Sequence, residues 1–541
     1  MPLWFRRSKS GISNQLMPRR HITWLVLILA LAFIIRLVNL GARNLWYDEA
    51  FAVLFSEKGL DAMVAGTLTP VAGGASDIHP LLYYTTLNLW MSLFGQSPFV
   101  VRLWSVLLGV LTVAVIYLIA RDLFDTSTGL VAALITAITP FHVQYSQETR
   151  MYALLGLLLA LATWCFLKGW RQSNHEAGSF NLRTKSWWIA FGVCAALAMY
   201  TQQLAAFYLV ALALIPLVAR RWQPLFNVVL GAVIALLIYL PWLVNLPGQL
   251  QKVSAYYWLS PPNIAQPLLT VRSFLNVNLD IPAPASMIAF LGSLFVVIFL
   301  IVQIVLFWRG RRSRVDRKPV LFLIALASLP PALMWLVSQV QPVYLERSLL
   351  PSALMLYILL AWLLTRSGTP RFITTLVSGV GLLLVGIGLY YQYTWASFPN
   401  SPFASVGEFI RQNWRTGDVV IHQNKLTALP VIYYERDLDQ RFLGDKPGSS
   451  DDTLALPTQQ SLNILASQCV QQAARDAQRV WWVVYEFAAD EYAAANRPEL
   501  QQAVTWLSAH YTPAESQYFN DLEVVLYSDP QNIGTPECSS S

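Results

Sequence analysis

The sequence predicts a polytopic α-helical membrane protein that carries a small α/β domain at its C-terminal end. Three observations predict this fold class. Of the 541 residues, 55% are hydrophobic and only 12% are charged, whereas a soluble domain carries about 25% charged residues. Long apolar runs recur along the chain up to residue 394. Beyond that residue the composition becomes acidic, and short helical and strand patterns replace the long runs.

The charge of the chain changes sign at the same point. Residues 395–541 hold 9 Lys and Arg against 18 Asp and Glu, a net charge of −9, and the other 394 residues carry +16 because the whole chain carries +7. The basic residues cluster in short loops between apolar runs, which is the pattern of cytoplasmic loops in membrane proteins. This distribution indicates the lipid bilayer as a partner and predicts no binding to nucleic acid.

Apolar runs with the length of a membrane span, about 20 residues, occur throughout the N-terminal part. The first run, His21 to Leu40, follows a basic tail over 1–21 and lacks the cleavage site of a signal peptide. We therefore expect an uncleaved helix with a cytoplasmic N-terminus. The sequence predicts a membrane module over 22–394 with about eleven transmembrane helices, at 22–40, 99–120, 128–145, 151–169, 187–202, 204–219, 224–245, 285–308, 319–338, 344–365 and 373–394.

The distribution of basic residues predicts the topology. If the first helix runs outward and the second runs inward, every dense basic cluster falls in the cytoplasm. The segment His79–Gly95 is apolar but short, and counting it as a span would reverse this arrangement. We predict a re-entrant or interfacial helix there, within a large first outer loop, with a short span as the alternative. The basic clusters are Arg121, Lys168–Lys185, Arg220–Arg221, Arg309–Lys318, and Arg366 with Arg371.

Residues 395–541 are predicted to form the extracytoplasmic α/β domain. The stretch SVGEFIRQNW has a helical pattern, and the stretches GDVVIH, RVWWVVYE and LEVVLYS have strand patterns. The domain contains Cys469 and Cys538, which could pair in an oxidising compartment, but the sequence does not show whether they are close. Cys165 and Cys194 fall in apolar runs and are predicted to be packing residues.

The stretch NLWYDEAFAVLFS places Asp48 and Glu49 directly after the first predicted span. Charged side chains at a membrane boundary commonly mark a reacting centre or a substrate pathway. A solvated loop pair or a helix N-cap is the structural alternative. We interpret the acidic pair as the leading candidate for a functional site.

Other polar residues fall on the same predicted outer side. A carboxylate can accept the proton of an attacking hydroxyl or amine, and Arg or Lys can hold a phosphate leaving group. Local ion pairs, snorkelling and interface belts are the structural alternatives. Together the residues are typical of glycosyl transfer from a lipid phosphate at the outer membrane face. They comprise Asp77, His79, Glu148, Arg150, Tyr200, Lys252, Tyr344 and Arg347.

The order and spacing of several motifs resemble the GT-C glycosyltransferases over residues 20–370. The motifs are Trp-Tyr-Asp-Glu ending at Glu49, HPLLYY with Tyr83, SPFVVRLWS with Arg102, and YSQETRMY with Glu148 and Arg150. The chain is most similar to the branch of the protein O-mannosyltransferases and the aminoarabinose transferases. The C-terminal region resembles the variable outer domains of that group.

The resemblance implies transfer of a sugar from a polyprenyl-phosphate donor to an extracytoplasmic acceptor, which is a lipid, a glycan or a protein. It implies that Asp48 is the catalytic base or orients the acceptor, and that Glu148 is the acidic residue of the second outer loop. The residues expected to bind the donor or its phosphate are Glu49, His79, Tyr83, Arg102, Arg150, Tyr200, Lys252, Tyr344 and Arg347.

The resemblance leaves a divalent metal open as a cofactor. A Glu-Lys pair that helps bind metal and lipid phosphate in the aminoarabinose branch falls on Ile78-His79, with Asp77 one position away. The Tyr-Thr-His of another branch falls on Tyr200-Thr201-Gln202. Asp77 and His79 are the remaining candidate metal ligands. A transporter or flippase of an envelope precursor is the alternative function, although the chain lacks the paired repeats common in transporters. A structural or assembly protein of the envelope is a third.

Overall fold

The computed structural model describes residues 19–71, 74–175, 182–256, 259–279, 281–309, 317–444, 454–531 and 538. The predicted basic tail lies outside these residues up to residue 18, as do parts of two predicted basic clusters, at 176–181 and 310–316. The chain divides into two compact units. The first unit comprises 1–38, 102–244 and 259–394, and the second comprises 39–101, 245–258 and 395–541.

Helices account for most of the described residues. In chain order they are α1 (Arg19–Leu37), α2 (Tyr47–Ser56), α3 (Leu60–Leu68), α4 (Leu82–Phe94), α5 (Pro98–Leu123), α6 (Thr126–Ile138), α7 (Pro140–Ser146), α8 (Tyr152–His175), α9 (Leu182–Thr201), α10 (Ala205–Val218), α11 (Trp222–Leu243), α12 (Leu246–Tyr256), α13 (Gln266–Leu275), α14 (Ala285–Trp308), α15 (Arg317–Val337), α16 (Leu350–Thr365), α17 (Arg371–Thr394), α18 (Phe403–Gln412), α19 (Lys425–Tyr434), α20 (Leu456–Leu462), α21 (Val470–Ala474), α22 (Ala488–Ala494) and α23 (Glu499–His510), with a 3-10 turn at Glu346–Leu349 before α16.

Strands occur only in the second unit among the described residues. They are β1 (Pro70–Val71), β2 (Gly74–Ala75), β3 (Asp418–His422), β4 (Gln440–Leu443), β5 (Ala466–Ser467), β6 (Arg479–Tyr485), β7 (Thr512–Phe519) and β8 (Leu522–Ser528).

Eight helices of the described part are long and apolar enough to cross a membrane, or nine if the bent pair α6–α7 forms one span. The prediction of eleven spans is therefore not confirmed. Ten of the predicted runs each coincide with one helix, and the run 128–145 coincides with the bent pair α6–α7. The 14 residues of α10 extend about 21 Å at 1.5 Å per residue, which is less than the hydrocarbon thickness of about 30 Å. The eight helices are α1, α5, α8, α11, α14, α15, α16 and α17.

Burial separates the inner and outer helices of the first unit. Most of α8 and α16 is buried, whereas only a small part of α1 and α17 is buried. A helix that is apolar on all sides packs inside a bundle, and an apolar exposed face is expected to contact lipid. The neighbours α8 and α9, α9 and α11, and α15 and α16 pack directly against each other.

The predicted interfacial segment forms α4, a helix of 13 residues in the second unit. Its buried face carries Tyr83, Tyr84 and Leu87, whereas Leu89 and Leu93 are exposed. This short helix exposes apolar side chains and is not among the described helices with the length and composition of a span. Such a pattern is typical of helices that lie at the membrane surface.

The predicted C-terminal α/β fold is confirmed. A six-stranded sheet has the order β5-β4-β3-β6-β8-β7, in which β5, β4, β3 and β6 are parallel and β8 is antiparallel to both β6 and β7. Its core includes Val420, Trp481 and Trp482, all at most 1% exposed. A disulfide joins Cys469 to Cys538, with their Cα atoms 5.8 Å apart, and this resolves the pairing that the sequence left open.

Candidate active site

The predicted site residues are divided between the two units. The second unit contains Asp48, Glu49, Asp77, His79, Tyr83 and Lys252, and the first contains Arg102, Glu148, Arg150, Tyr200, Tyr344 and Arg347.

The acidic pair lies in the first turn of α2. Trp46 is the N-cap, and its side chain makes no capping hydrogen bond. Carboxylates at a helix N-terminus are stabilised by the positive end of the helix dipole. The two side chains differ in burial, since Glu49 is only 1% exposed and Asp48 is half-buried. Asp48 is therefore the more accessible carboxylate of the pair.

Aromatic packing holds α2 against α4. The rings of Phe51 and Phe55 stack at 5.1 Å, and the ring of Tyr84 meets the Phe55 ring edge-on at 5.5 Å. Tyr83 is 1% exposed and contacts Tyr84 with ring centroids 6.1 Å apart. These contacts fix the helix that carries the acidic pair, and they place Tyr83 in the aromatic core of this unit.

Asp77 is the centre of a second polar group. Its Oδ1 accepts hydrogen bonds from His79 Nδ1 at 2.8 Å and from the backbone N–H groups of Ile78 and His79. Burial would raise the pKa of Asp77, but the His79 imidazole, its hydrogen bond, the Lys252 ammonium and the Ile78 N–H together lower that pKa below its ordinary value. The structure thus brings together three predicted residues.

Lys252 lies on α12, which packs against strand β2 of the β1–β2 hairpin. Lys252 Nζ donates to the Ser76 carbonyl at 2.6 Å, and Gln249 Nε2 donates to the Asp77 carbonyl at 3.2 Å. These bonds join α12 to the segment that carries Asp77 and His79. Their partners are more than 170 residues apart in sequence, so only the folded chain shows this group.

The donor set around Asp77 does not fit a metal centre. Catalytic zinc sites use three protein ligands and an open position. Among the described residues, no group of three or more His, Cys, Asp and Glu side chains could hold a metal ion. Asp77 Oδ1 and His79 Nδ1 are instead bonded to each other.

In the first unit, Glu148 belongs to a group built around Tyr145. The Tyr145 hydroxyl interacts electrostatically with the Glu148 carboxylate and the Arg347 guanidinium. Asn278 Nδ2 donates to the same hydroxyl at 3.2 Å, and the Arg347 guanidinium lies over the Tyr152 ring at 5.2 Å from its centroid. The structure therefore brings together Glu148 and Arg347, two predicted site residues that are far apart in the sequence.

Other predicted residues of the first unit lie elsewhere. The Tyr200 ring packs on the Tyr239 ring of α11 at 5.0 Å, and its hydroxyl donates to the Ile238 carbonyl. The Tyr344 hydroxyl lies 2.8 Å from Thr270 Oγ1. Arg102 on α5 and Arg150 before α8 are 0% and 3% exposed. No bond among those described joins Tyr200 to the Glu148 group.

A cavity of about 190 Å³ opens beside α13 and α14. The polar residues that line it are Arg272, Asn276 and Ser286. Arg272 also interacts electrostatically with Glu346, whose carboxylate accepts a hydrogen bond from Gln266 Nε2 at 2.8 Å. A guanidinium beside such a cavity can bind an anionic oxygen.

A buried network around Arg36 was not predicted from the sequence. Arg36 is 0% exposed and donates to the carbonyls of Thr136 and Ala137 and to His142 Nδ1 at 2.6 Å. Since a guanidinium only donates, His142 Nδ1 must be the acceptor. Gln147, next to Glu148, donates to the Arg36 carbonyl at 2.9 Å. The sequence feature that could have indicated this network is Arg36 itself, a lone arginine near the end of an apolar helix.

Comparison with known proteins agrees with this architecture. A family model described as dolichyl-phosphate-mannose-protein mannosyltransferase matches residues 78–244. The chain is 29% identical over 250 residues to the undecaprenyl phosphate-alpha-4-amino-4-deoxy-L-arabinose arabinosyl transferase of Pseudomonas paraeruginosa strain PA7, a match that covers 44% of this chain and 42% of the relative. The matched segment thus spans less than half the length of that relative.

Solved structures match nearly the whole chain. ArnT from Cupriavidus metallidurans, bound to undecaprenyl phosphate, superposes with a TM-score of 0.61 at 14% identity and covers 95% of this chain and 99% of ArnT. The chain has the GT-C fold. The Archaeoglobus fulgidus oligosaccharyltransferase in its apo form superposes with a TM-score of 0.51 at 14% identity. This match covers 91% of this chain and 73% of the oligosaccharyltransferase chain.

These likenesses confirm the predicted GT-C resemblance at the level of the fold. Together with the apolar helices, they identify an integral, multi-pass membrane protein. The segment matched by the family model carries His79, Tyr83, Arg102, Glu148, Arg150 and Tyr200.

Proposed function

We propose that this GT-C protein is a glycosyltransferase that moves a sugar from a polyprenyl-phosphate donor to an extracytoplasmic acceptor. The observation that carries the proposal is the acidic pair at the start of α2, in a chain whose fold is that of an ArnT structure bound to undecaprenyl phosphate. The family model that matches residues 78–244 is also named for a lipid-phosphate sugar. The matched proteins named above are transferases, which favours transfer over transport.

Asp48 is the proposed base. The acceptor hydroxyl or amine attacks the anomeric carbon, the bond from that carbon to the phosphate oxygen breaks, and the polyprenyl phosphate leaves with the bonding electrons. The acceptor's proton passes to the Asp48 carboxylate. Because Asp48 is half-buried and Glu49 is buried, Asp48 is the carboxylate that an acceptor reaches more readily. We assign Glu49 a supporting role within α2.

The leaving phosphate requires cations more than covalent catalysis, because negative charge develops on its oxygens. In the first unit we propose Arg272 and Arg347 for this role. Arg272 lines the cavity of about 190 Å³, and Arg347 lies over Tyr152 next to the group that includes Glu148. Lys252, Arg102 and Arg150 remain proposed phosphate ligands. No step is assigned to a metal, since the two candidate metal ligands, Asp77 and His79, are hydrogen-bonded to each other.

We also propose that the N-terminus is cytoplasmic and that the C-terminal domain faces the extracytoplasmic side. The basic clusters between the apolar runs support this orientation. The Cys469–Cys538 disulfide supports it as well, because disulfides persist in oxidising compartments and are rare in the cytoplasm.

The test measures release of polyprenyl phosphate by purified protein in lipid, supplied with a panel of polyprenyl-phosphate sugars. We expect Asp48→Asn to lower the rate by about 10²–10⁴-fold, the typical contribution of general base catalysis. The matched variant Glu49→Gln, one residue away on α2, should lose less activity. Melting temperatures of both variants equal to that of the wild-type protein would show that the fold is intact. Full activity of Asp48→Asn would contradict the assignment of the base.

The same preparation separates transfer from transport. A transferase converts the donor into free polyprenyl phosphate and a glycosylated acceptor, both of which are identified by mass spectrometry. A flippase would move the intact donor between leaflets of a proteoliposome without a covalent product. The second result across the whole donor panel would overturn the proposal.

A further inference from the structure

The C-terminal domain holds both ends of the helix that carries the acidic pair. Within the second unit, α19 of this domain packs against α2. Its last residues and those directly after it, Tyr433–Arg436, make the polar contacts with the first loop. We call Tyr433–Arg436 the clamp segment. Its sequence is YYER.

The first contact of the clamp segment lies just before α2. The Tyr434 hydroxyl accepts a hydrogen bond from the Leu45 N–H at 2.8 Å. Leu45 is 0% exposed and directly precedes the N-cap Trp46. The next loop residue towards the N-terminus is also tied to the domain, because Asn44 Oδ1 accepts from the Ala404 N–H at 2.9 Å. The direction in which the chain enters α2 is therefore set by the C-terminal domain.

The second contact lies at the other end of α2. Arg436 Nη1 pairs with Glu57 Oε2 at 2.8 Å, and Glu57 is the C-cap of the helix. Arg436 Nη2 also donates to Gln96 Oε1 at 3.1 Å, and the Tyr433 hydroxyl donates to the Gln96 carbonyl. The same short segment thus contacts α2 at its beginning and at its end.

α2 depends on such contacts for its orientation. It has only ten residues and no side-chain N-cap, and isolated helices shorter than about 12–15 residues are marginal in water. Apolar packing on α4 fixes one face of the helix. The polar contacts of the clamp segment fix both ends, so they determine where the first turn, with Asp48, points.

We propose that Tyr434 and Arg436 are positioning residues for Asp48, and that the C-terminal domain acts in catalysis by orienting α2. This inference rests on the proposed function for its kinetic consequence, but the clamp itself can be tested without any substrate.

The substrate-free test is hydrogen–deuterium exchange of the full chain in lipid, followed in the peptide that contains residues 45–57. Tyr434→Phe keeps the ring and removes the acceptor of the buried Leu45 N–H, so exchange in this peptide should accelerate by about tenfold. Arg436→Gln should have a smaller effect, about twofold, because Arg436 is exposed and exposed ion pairs contribute little.

Tyr511→Phe is the matched control. The Tyr511 hydroxyl donates to the carbonyls of Ala474 and Ala477 inside the same domain and makes no described contact with α2. This variant loses the same chemical group and should leave exchange of residues 45–57 unchanged. If hydrogen–deuterium exchange accelerated equally in the Tyr434 and Tyr511 variants, or did not accelerate in the Tyr434 variant, the proposed role of the clamp segment would be wrong.

The kinetic test compares kcat and KM for polyprenyl-phosphate release. A misplaced base lowers kcat with little change in KM. We therefore expect Tyr434→Phe to lower kcat by about tenfold and Tyr511→Phe to leave kcat unchanged.

The double variant Glu57→Arg with Arg436→Glu keeps the ion pair but reverses its charges. It should recover the protection from hydrogen–deuterium exchange that either single variant loses. Faster exchange with unchanged kcat would overturn the positioning role. A wild-type protein that releases no polyprenyl phosphate would count against the proposed function and leave the exchange result standing.

Discussion

Among single residues, Asp77 gives the second unit a defined pH dependence. Because His79, Lys252 and the Ile78 N–H lower the pKa of Asp77 in the folded protein, its carboxylate stabilises the fold above its ordinary pKa of about 4. This stabilisation is lost as the pH falls through the lowered pKa of the folded state. We therefore predict that Asp77→Ala lowers the free energy of unfolding by about 1–3 kcal/mol at pH 7, and that its deficit shrinks on acidification below pH 4.

The measurement is thermal or denaturant unfolding of both proteins between pH 3 and 7. Asp61→Ala is the matched control, because Asp61 is an exposed carboxylate in the first turn of α3 in the same unit. Its substitution should change stability little at any pH. A deficit of Asp77→Ala that stays constant with pH would contradict the electrostatic explanation.

The residue types at the site were predictable from the sequence, but their groupings were not. Asp77 and His79 were both predicted from the sequence, and their hydrogen bond is local. The contact of Lys252 with Ser76 depends on the packing of α12 against the hairpin, and no spacing rule connects residues so far apart. The roles of Asp48 and Glu148 stay predictions, since they depend on bound substrate.

At the scale of elements, the predicted span 128–145 breaks into α6 and α7, which meet at 62°. Pro140 begins α7, and proline favours the first turn of a helix while interrupting the one before it. The break leaves carbonyls at the end of α6 without helical donors, which is costly in an apolar environment. Arg36 donates to two of them, on Thr136 and Ala137, and thus stabilises the break.

We accordingly predict that Arg36→Met, which keeps an unbranched apolar stem but removes the guanidinium, destabilises the protein by about 2–4 kcal/mol through the loss of buried hydrogen bonds. Arg36→Lys should lose less, because it retains a charged donor. Arg371→Met, at an exposed position at the start of α17, serves as the control for loss of an arginine. Thermal melting in detergent measures all three variants, and unchanged melting of Arg36→Met would rule out this role.

At the scale of the whole molecule, composition predicted an acidic α/β region after residue 394 but not its connection to the first loop. The second unit combines 395–541 with 39–101 and 245–258. The contacts that create this unit, such as that of Leu45 with Tyr434, join residues 389 positions apart. Hydropathy and periodicity report local structure, so they can mark a domain boundary but cannot show which distant loop packs on that domain.

The Cys469–Cys538 disulfide links the stability of the C-terminal domain to the orientation of the whole chain. It closes a loop of 69 residues, for which the chain-entropy model gives a stabilisation of about 4 kcal/mol. We predict that Cys469→Ser lowers the denaturation midpoint of this domain, whereas Cys194→Ser, at a cysteine outside any disulfide, leaves it unchanged. Maleimide labelling of protein from freshly lysed cells should modify Cys469 and Cys538 only after reduction. Labelling of both without a reductant would place the domain in a reducing compartment and contradict the proposed orientation.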